Sequence, residues 1–188
     1  MIEATWIGPY SWENSELENE LPTVPEQPGL YLQTVRYMDG YLIYAAGLTR
    51  RTVKKRFREH TRKYKLGEYN VLDITAMQCG IRKEIWHGWG WTPEKRAEFE
   101  KRKPLILDAV QKQLAGFRIF VADVGTETRI LERLEAAVMN HLYQQPSPLC
   151  DIPDKGMMLA PRWRIESVIT VRNKCCSLLY GLPDYLEI

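Results

Sequence analysis

Five side chains of this 188-residue sequence together carry the functional groups that phosphodiester hydrolysis needs. Tyr31 and Tyr44 have phenols, Arg56 a guanidinium, His60 an imidazole and Glu135 a carboxylate. A phenol or an imidazole can move a proton, a guanidinium can stabilise charge on a phosphate, and a carboxylate can hold a hard divalent cation. Each residue also has an ordinary structural explanation by itself, so the chemistry depends on whether the fold brings them together.

Glu135 is the most informative of the five because it is predicted to lie on or beside the buried face of a helix. Apolar residues at spacings of three and four predict that helix from Thr126 to about Tyr143. Its apolar positions are Ile130, Leu131, Leu134, Val138 and Leu142. An unpaired carboxylate there is costly, so it needs either an arginine partner or a metal ion. Both alternatives stay open at this point, and Glu132, further round the helix, is the weaker candidate.

The two tyrosines are predicted to lie on neighbouring strands of a β-hairpin. The segments GLYLQTVRY (29–37) and YLIYAAG (41–47) resemble short strands joined by MDG. A two-residue turn and a longer loop give two different registers, and both place Tyr31 and Tyr44 on the same face. Ordinary packing within a sheet is the alternative explanation for two such tyrosines.

The helix predicted after the hairpin is strongly basic. Thr49 or Thr52 can cap its start and Gly67 can end it. Its predicted stripe consists of Val53, Phe57, His60 and Tyr64. From residue 48 to residue 65, nine Lys and Arg accompany the single acid Glu59. A solvated helix face is the ordinary explanation for such a run, whereas a polyanion would compensate the repulsion among nine like charges.

The other segments predict an α+β chain in three parts. Residues 1–28 carry six acids, four prolines and no Lys or Arg, which predicts an acidic arm outside the core. Residues 29–151 hold the hairpin, the basic helix, a strand at 117–124 and the Glu135 helix, with an insertion at about 68–103. Residues 152–188 are predicted to be a C-terminal extension that packs on this domain and contains one more strand at 166–173.

The composition predicts a cytoplasmic globular protein. Apolar residues make up 45% of the chain and charged residues 27%, so disorder is not expected. No apolar run approaches the ~20 residues of a membrane span, and the acidic N-terminus lacks the features of a signal peptide. The four cysteines include no CxxC pair, which favours free thiols in a reducing compartment. We expect no membrane association.

Several of these motifs, in this order, resemble the GIY-YIG nuclease family. GLY at 29–31 resembles the first signature, and YAAG at 44–47, ending in Gly47, resembles the second. KKRFREH at 54–60 resembles the family's basic helix, and RLEAAVM at 133–139 resembles the helix with its metal-binding glutamate. PLCD places Asp151 where asparagine is usual. The resemblance implies a small three-stranded antiparallel sheet flanked by helices, to which this chain adds a helical insertion and a C-terminal extension.

The resemblance also implies a mechanism. Glu135 would hold a divalent ion, usually magnesium and otherwise manganese, and Arg56 would stabilise charge on the scissile phosphate. Tyr31 would accept a proton from the attacking water, directly or through a relay, and Tyr44 and His60 would orient these groups. An unperturbed phenol has a pKa near 10. We expect Arg56 and the metal to lower the pKa of Tyr31.

Double-stranded DNA is the substrate that the resemblance implies. The candidate phosphate contacts are Arg50, Arg51, Lys54, Lys55, Arg58, Arg62 and Lys63. Among Trp86, Trp89 and Trp91 of the insertion, Trp89 is the chosen candidate for contact with bases, and core packing is the alternative for these tryptophans. With no separate DNA-reading domain evident, a restriction-like enzyme is expected, and a homodimer would supply two sites for two strands.

Two other functions stay open. The first is a catalytically inert nucleic-acid-binding module of the same fold, in which Glu135 pairs with an internal arginine and no metal site remains. The second is a protein-interaction module whose acidic residues 1–28 dock on a basic partner. A separate alternative for these residues is that they cover the basic helix as an autoinhibitory segment or meet a second subunit. Weak retention on heparin that hardly depends on salt would indicate the protein-interaction module.

Overall fold

A computed structural model describes residues 1–90 and 92–188 and contains nine strands and five helices within them. The strands are β1 (Ile2–Ser11), β2 (Gly29–Tyr37), β3 (Gly40–Thr49), β4 (Val71–Leu72), β5 (Glu84–Trp86), β6 (Phe117–Ala122), β7 (Thr170–Cys175), β8 (Leu179–Tyr180) and β9 (Tyr185–Glu187). The helices are α1 (Glu16–Asn19), α2 (Val53–Lys65), α3 (Ile74–Gln78), α4 (Pro93–Gly116) and α5 (Thr128–Tyr143).

The central sheet has seven strands, so the prediction of a small three-stranded antiparallel sheet is wrong. Its strand order is β8-β3-β2-β6-β1-β7-β9, and it is a mixed sheet that curls into a half-barrel. The three predicted strands β3, β2 and β6 are adjacent within it. They leave unpaired backbone groups at both edges, and the chain satisfies these with strands from residues 1–28 and 152–188 rather than with solvent.

Residues 1–28 belong to the core, contrary to the predicted arm. Strand β1 pairs with β6 on one side and β7 on the other, which buries Ala4 and Trp6. Pro9 obscured this strand in the sequence because proline cannot donate to a ladder. The pairing with β6 shifts register between Ile7 and Tyr10, so the proline lies at an irregularity that needs no donor.

The predicted hairpin is present, but its register matches neither alternative. Near the turn Tyr37 pairs with Gly40, and a register shift beside Gln33 then places Gly47 opposite Tyr31. Tyr44 is the extra residue of this β-bulge. Tyr31 and Tyr44 pack in the same hydrophobic cluster.

Helices cover both faces of the sheet. Helix α2 begins after the Thr52 cap, whose side chain accepts a hydrogen bond from the Lys55 N–H, and its predicted buried stripe is confirmed. Helices α2 and α4 pack in one hydrophobic cluster, and α5 packs in a second cluster on β3 and β2. Each fully buried large apolar side chain contributes about 1.5–3 kcal/mol to the stability of this arrangement.

The segment 68–103 is not a helical insertion set apart from the domain. It contains the two-stranded sheet β4-β5, helix α3 and the first part of α4. Helix α4 starts at Pro93 after the Thr92 cap and continues through Pro104 to Gly116, so it extends beyond the predicted end of the insertion at about residue 103. The C-terminal strands β7, β8 and β9 extend the central sheet. No helix among the described residues is long and apolar enough to cross a membrane.

Candidate active site

All five predicted catalytic residues line one cleft of about 400 Å³. The cleft lies at the end of β3, where the chain passes from the sheet to α2. Helix α2 contributes Arg56 and His60 from one side, and α5 contributes Glu135 from the other. The predicted residues in the cleft are Tyr31, Tyr44, Gly47, Arg56, His60, Trp89 and Glu135. Since these residues are up to 104 positions apart in the chain, only the tertiary fold can bring them together.

Gly47 makes room for Tyr31. The two residues are directly opposite in the β2–β3 ladder. A Cβ built on Gly47 would lie 2.6 Å from Cε2 of Tyr31 and would also overlap the phenol oxygen. The absence of a side chain at position 47 therefore lets the Tyr31 ring cross the end of β3 and direct its hydroxyl into the cleft.

Tyr31, His60 and Tyr69 form a hydrogen-bonded chain. The Tyr31 hydroxyl is 2.8 Å from Nε2 of His60, and Nδ1 of His60 is 3.2 Å from the Tyr69 hydroxyl. Burial lowers the pKa of His60 to about 3, and the charge of Arg56 acts in the same direction. A neutral imidazole has one donor and one acceptor nitrogen, so the chain can pass a proton in one direction at a time.

The pKa of Tyr31 is raised rather than lowered. Burial raises it to about 12, because the side chain is only 3% exposed and a phenolate would be poorly solvated. Arg56 opposes this shift but does not overcome it. Arg56 therefore acts in the expected direction, but burial outweighs it and the net pKa of this phenol is raised.

The guanidinium of Arg56 lines the cleft and contacts only one carboxylate in the described part of the chain, that of Glu59. Its Nη1 is 3.4 Å from a carboxylate oxygen of Glu59, while its buried Nε has no hydrogen-bond partner among the described residues. Glu59 is also held by Arg51 at 2.6 Å. A shallow groove next to the cleft shares Arg56 with it and is also lined by Arg50 and Arg51. The arrangement leaves donors available for an anion.

Glu135 faces the cleft and forms no ion pair among the described residues. Burial raises the pKa of its carboxyl to about 7, against the opposing effects of the Arg56 charge and a hydrogen bond from the Leu48 backbone. The alternative in which an internal arginine neutralises Glu135 is not what the structure contains. The nearby Arg133 instead donates to the backbone oxygens of Ser167 and Ile188.

The cleft fits a magnesium ion that keeps most of its water ligands. The carboxylates of Glu132, Glu135 and Asp154 line the cleft, and Glu135 is the predicted ligand. Burial raises its pKa, so a nearby cation would favour its charged form. Among residues 1–90 and 92–188 there is no group of three or more His, Cys, Asp or Glu able to hold a metal. Water molecules and phosphate oxygens would therefore have to supply the other ligands, which suits magnesium better than zinc.

Tyr44 is as buried as Tyr31, since each side chain is 3% exposed. Its ring packs 5.4 Å from that of Phe117, and its backbone carbonyl accepts a hydrogen bond from the Asp154 N–H at 2.9 Å. Burial raises its pKa above the usual value, and Asp154 adds to that shift. Tyr44 is suited to positioning the bulge and the neighbouring segment rather than to proton transfer.

The basic residues of α2 are less free than their number suggests. Arg58 binds Glu13 through two nitrogens, with contacts down to 2.6 Å, and Lys54 contacts Glu26 at 3.1 Å. Lys63 pairs with Glu68. The predicted phosphate contacts without an ion pair among the described residues are Arg50, Lys55 and Arg62. Acids from residues 1–28 thus cover part of the basic helix.

The tryptophans and Asp151 have separate locations. Trp86 is buried and donates to the Gly67 carbonyl at 2.8 Å, whereas Trp89 lines the cleft and is 36% exposed. Trp91 lies outside the described residues. Asp151 does not line the cleft, and hydrogen bonds from Ser147 and Cys150 lower the pKa of its carboxyl.

Sequence reasoning missed four polar residues of the cleft. They are Gln33, Tyr64, Tyr69 and Asp154. Two backbone hydrogen bonds hold Asp154 in place. Its N–H donates to the Tyr44 carbonyl, and its own carbonyl accepts from the Tyr143 hydroxyl at 2.5 Å. Tyr64 was predicted only as part of the buried stripe. Tyr69 and Asp154 lie outside regular elements, so no periodic pattern could mark them.

Comparisons with known protein families, with curated proteins and with solved structures give no match.

Proposed function

We propose that this chain is a magnesium-dependent endonuclease of the GIY-YIG type that hydrolyses phosphodiester bonds in double-stranded DNA. The observation that carries the proposal is the convergence of Tyr31, Arg56, His60 and Glu135 on one cleft. A phenol–imidazole chain, an anion-binding guanidinium and an unpaired carboxylate are the parts that in-line hydrolysis of a phosphodiester requires. Manganese, another hard divalent cation, is expected to substitute for magnesium.

Proton transfer follows the chain of hydrogen bonds. The water that attacks phosphorus gives a proton to the Tyr31 oxygen while Tyr31 passes its own proton to Nε2 of His60. The Nδ1 proton of His60 moves to the Tyr69 hydroxyl, which releases one to solvent. This transfer avoids a free phenolate, which the raised pKa of Tyr31 makes unfavourable. The P–O bond to the 3′ oxygen breaks as the new bond forms, and the leaving oxygen takes a proton from solvent.

Charge on the phosphate is balanced from two sides. Arg56 lines the cleft and contacts Glu59 only through Nη1, so its guanidinium would donate to the non-bridging oxygens. Glu135 would hold the magnesium ion, which supplies Lewis-acid stabilisation of the phosphate and the leaving oxygen when bound. Arg50 and Arg51 line the groove that continues from the cleft, so they are placed to bind the neighbouring phosphates.

The experiment is cleavage of mixed plasmid and phage DNA by the purified full chain with magnesium, with manganese and with EDTA. We expect metal-dependent nicking or linearisation that Glu135→Gln abolishes. Glu100→Gln is the matched control, because Glu100 is an exposed glutamate of α4 outside the cleft. Cleavage that survives EDTA, or that Glu135→Gln leaves intact, contradicts the proposed metal site.

An inert DNA-binding module is the second candidate, and the raised pKa of Tyr31 favours it. A phenol that stays protonated at neutral pH packs well but is a poor base. This function predicts salt-sensitive binding of duplex DNA with no cleavage over several DNAs and both metals. It also predicts that Glu135→Gln leaves DNA affinity unchanged whether or not magnesium is present.

A further inference from the structure

The segment 155–168, here called the cleft loop, exposes apolar side chains beside the candidate active site. Met158 is 98% exposed, Ile165 91% and Trp163 60%. The segment contains no helix or strand, and it carries three basic residues against one acid. The basic residues are Lys155, Arg162 and Arg164. Three exposed apolar side chains within residues 158–165, among basic residues, favour a surface that contacts a partner.

Arg129 of α5 holds the cleft loop in place. Its Nε and Nη2 bind the two carboxylate oxygens of Glu166 at 2.6 and 2.7 Å. Its Nη1 and Nη2 also donate to the carbonyls of Ala160 and Pro161 at 2.8 and 2.7 Å. The guanidinium lies 4.3 Å from the centre of the Trp163 ring. A loop tied at this many points is positioned before a ligand arrives.

The cleft loop is continuous with the candidate active site. Met157, Met158 and Ala160 line the same cleft as Glu135. Arg129 itself lies 3.4 Å from Glu132, another lining residue one turn before Glu135 on α5. A duplex seated with a phosphate at Arg56 therefore brings its bases within reach of the loop.

We propose that the cleft loop is the surface that reads and deforms duplex DNA next to the cut phosphate. Met158 and Ile165 insert as apolar wedges against base steps, while Lys155, Arg162 and Arg164 bind the flanking phosphates. The positive charge and the shared lining with the cleft select DNA as the occupant rather than a second copy of this chain. The inference rests on the proposed function only in requiring that DNA binds in this cleft.

The test uses the full chain with Glu135→Gln in EDTA, so that binding is measured without cleavage. Affinity is compared for a paired 30-base-pair duplex and for the same duplex with a central mismatch, in which part of the unstacking cost is already met. We expect the parent to prefer the mismatched duplex. Met158→Ser with Ile165→Ser should weaken binding of the mismatched duplex about tenfold and remove the preference, with an unchanged salt dependence.

Charge and control variants separate the two kinds of contact. Arg162→Gln with Arg164→Gln should reduce the slope of log affinity against log salt by about 1.8, as expected for two lost phosphate contacts. Met38→Ser is the matched control, because Met38 is an exposed methionine of the β2–β3 turn. It should behave like the parent, and thermal unfolding should show that all variants are folded.

Three outcomes overturn the inference. If the wedge variant binds both duplexes like the parent, the cleft loop does not contact bases. If it converts a dimer to a monomer in sedimentation with unchanged DNA binding, the surface joins two copies of the chain. If the parent binds no DNA at low salt, this inference and the proposed function fail together. DNA that is bound with the expected preference but never cut removes only the nuclease.

Discussion

The Tyr31 ring occupies the space in which a side chain at position 47 would begin. The pairing of Tyr31 with Gly47 depends on the bulge at Tyr44, which shifts the β2–β3 register by one residue. The bulge therefore brings Gly47, the last residue of YAAG, opposite Tyr31.

Gly47→Ala should abolish cleavage while leaving DNA binding. The new methyl group would push the Tyr31 hydroxyl away from His60, and the overpacked site should lose about 1–3 kcal/mol of unfolding free energy. We expect kcat to fall at least about a hundredfold because a misplaced reacting group costs that much. Cleavage, duplex binding and urea unfolding are the measurements. A variant with normal cleavage would show that Tyr31 takes no part in the reaction.

Tyr31→Phe and Tyr69→Phe should have unequal effects. Loss of the Tyr31 hydroxyl removes the first proton acceptor, so kcat should fall by about 10²–10⁴. It also leaves Nε2 of His60 without its partner, at about 1–3 kcal/mol of stability. Loss of the Tyr69 hydroxyl removes only the last hydrogen bond of the proton-transfer chain, so kcat should fall about tenfold. Single-turnover cleavage rates with saturating enzyme measure both effects, and equal rates for the two variants would contradict the proposed order of transfer.

The metal-free protein should lose stability as the pH rises through 7. The pKa of Glu135 is raised from 4.5 to about 7, so the folded state holds this proton more tightly than the unfolded state. The stabilisation is complete below pH 4.5 and is lost as the pH rises through about 7, by on the order of 2 kcal/mol. Denaturant unfolding in EDTA at several pH values measures it. Glu135→Gln should remove this part of the pH dependence, and an unchanged profile would contradict the assignment.

Magnesium should stabilise the protein at pH 8 through the same residue. A ligand present at about a hundred times its Kd adds about 2.7 kcal/mol to the unfolding free energy, because it binds only the folded state. Thermal unfolding with and without magnesium measures the effect. We expect a rise in Tm for the natural sequence and for Glu100→Gln, and none for Glu135→Gln. An equal rise in all three would place the ion elsewhere.

Glu13→Gln and Glu26→Gln should tighten DNA binding. Each removes an acid that pairs with a basic residue of α2, Arg58 and Lys54 respectively. We expect affinity to rise about threefold for each change and to become more dependent on salt, because more cations then face the phosphates. Glu3→Gln is the control, since Glu3 pairs with Lys174 on β7. Unchanged binding by both variants would mean that DNA does not approach this face of α2.

Local patterns were sufficient for much of the candidate site. The spacing of Val53, Phe57, His60 and Tyr64 predicted the buried stripe of α2, and the apolar positions around Glu135 predicted the face of α5. Both follow from a helical period of 3.6 residues, which is a property of adjacent residues in the chain. The same patterns could not reveal Tyr69 or Asp154, because these residues reach the cleft from irregular segments.

Long-range pairing determined the rest. The amino-acid sequence alone specifies the hairpin, the two amphipathic helices and the side-chain functional groups that could do chemistry. Whether β6 ends the sheet or pairs with β1 depends on backbone hydrogen bonds to a segment over a hundred residues away, which leave no periodic mark. The pKa of Tyr31 depends likewise on everything packed around it: Arg56 is close by in the sequence, but burial outweighs its charge. Residue types and spacing are local properties, whereas sheet order and desolvation belong to the assembled fold.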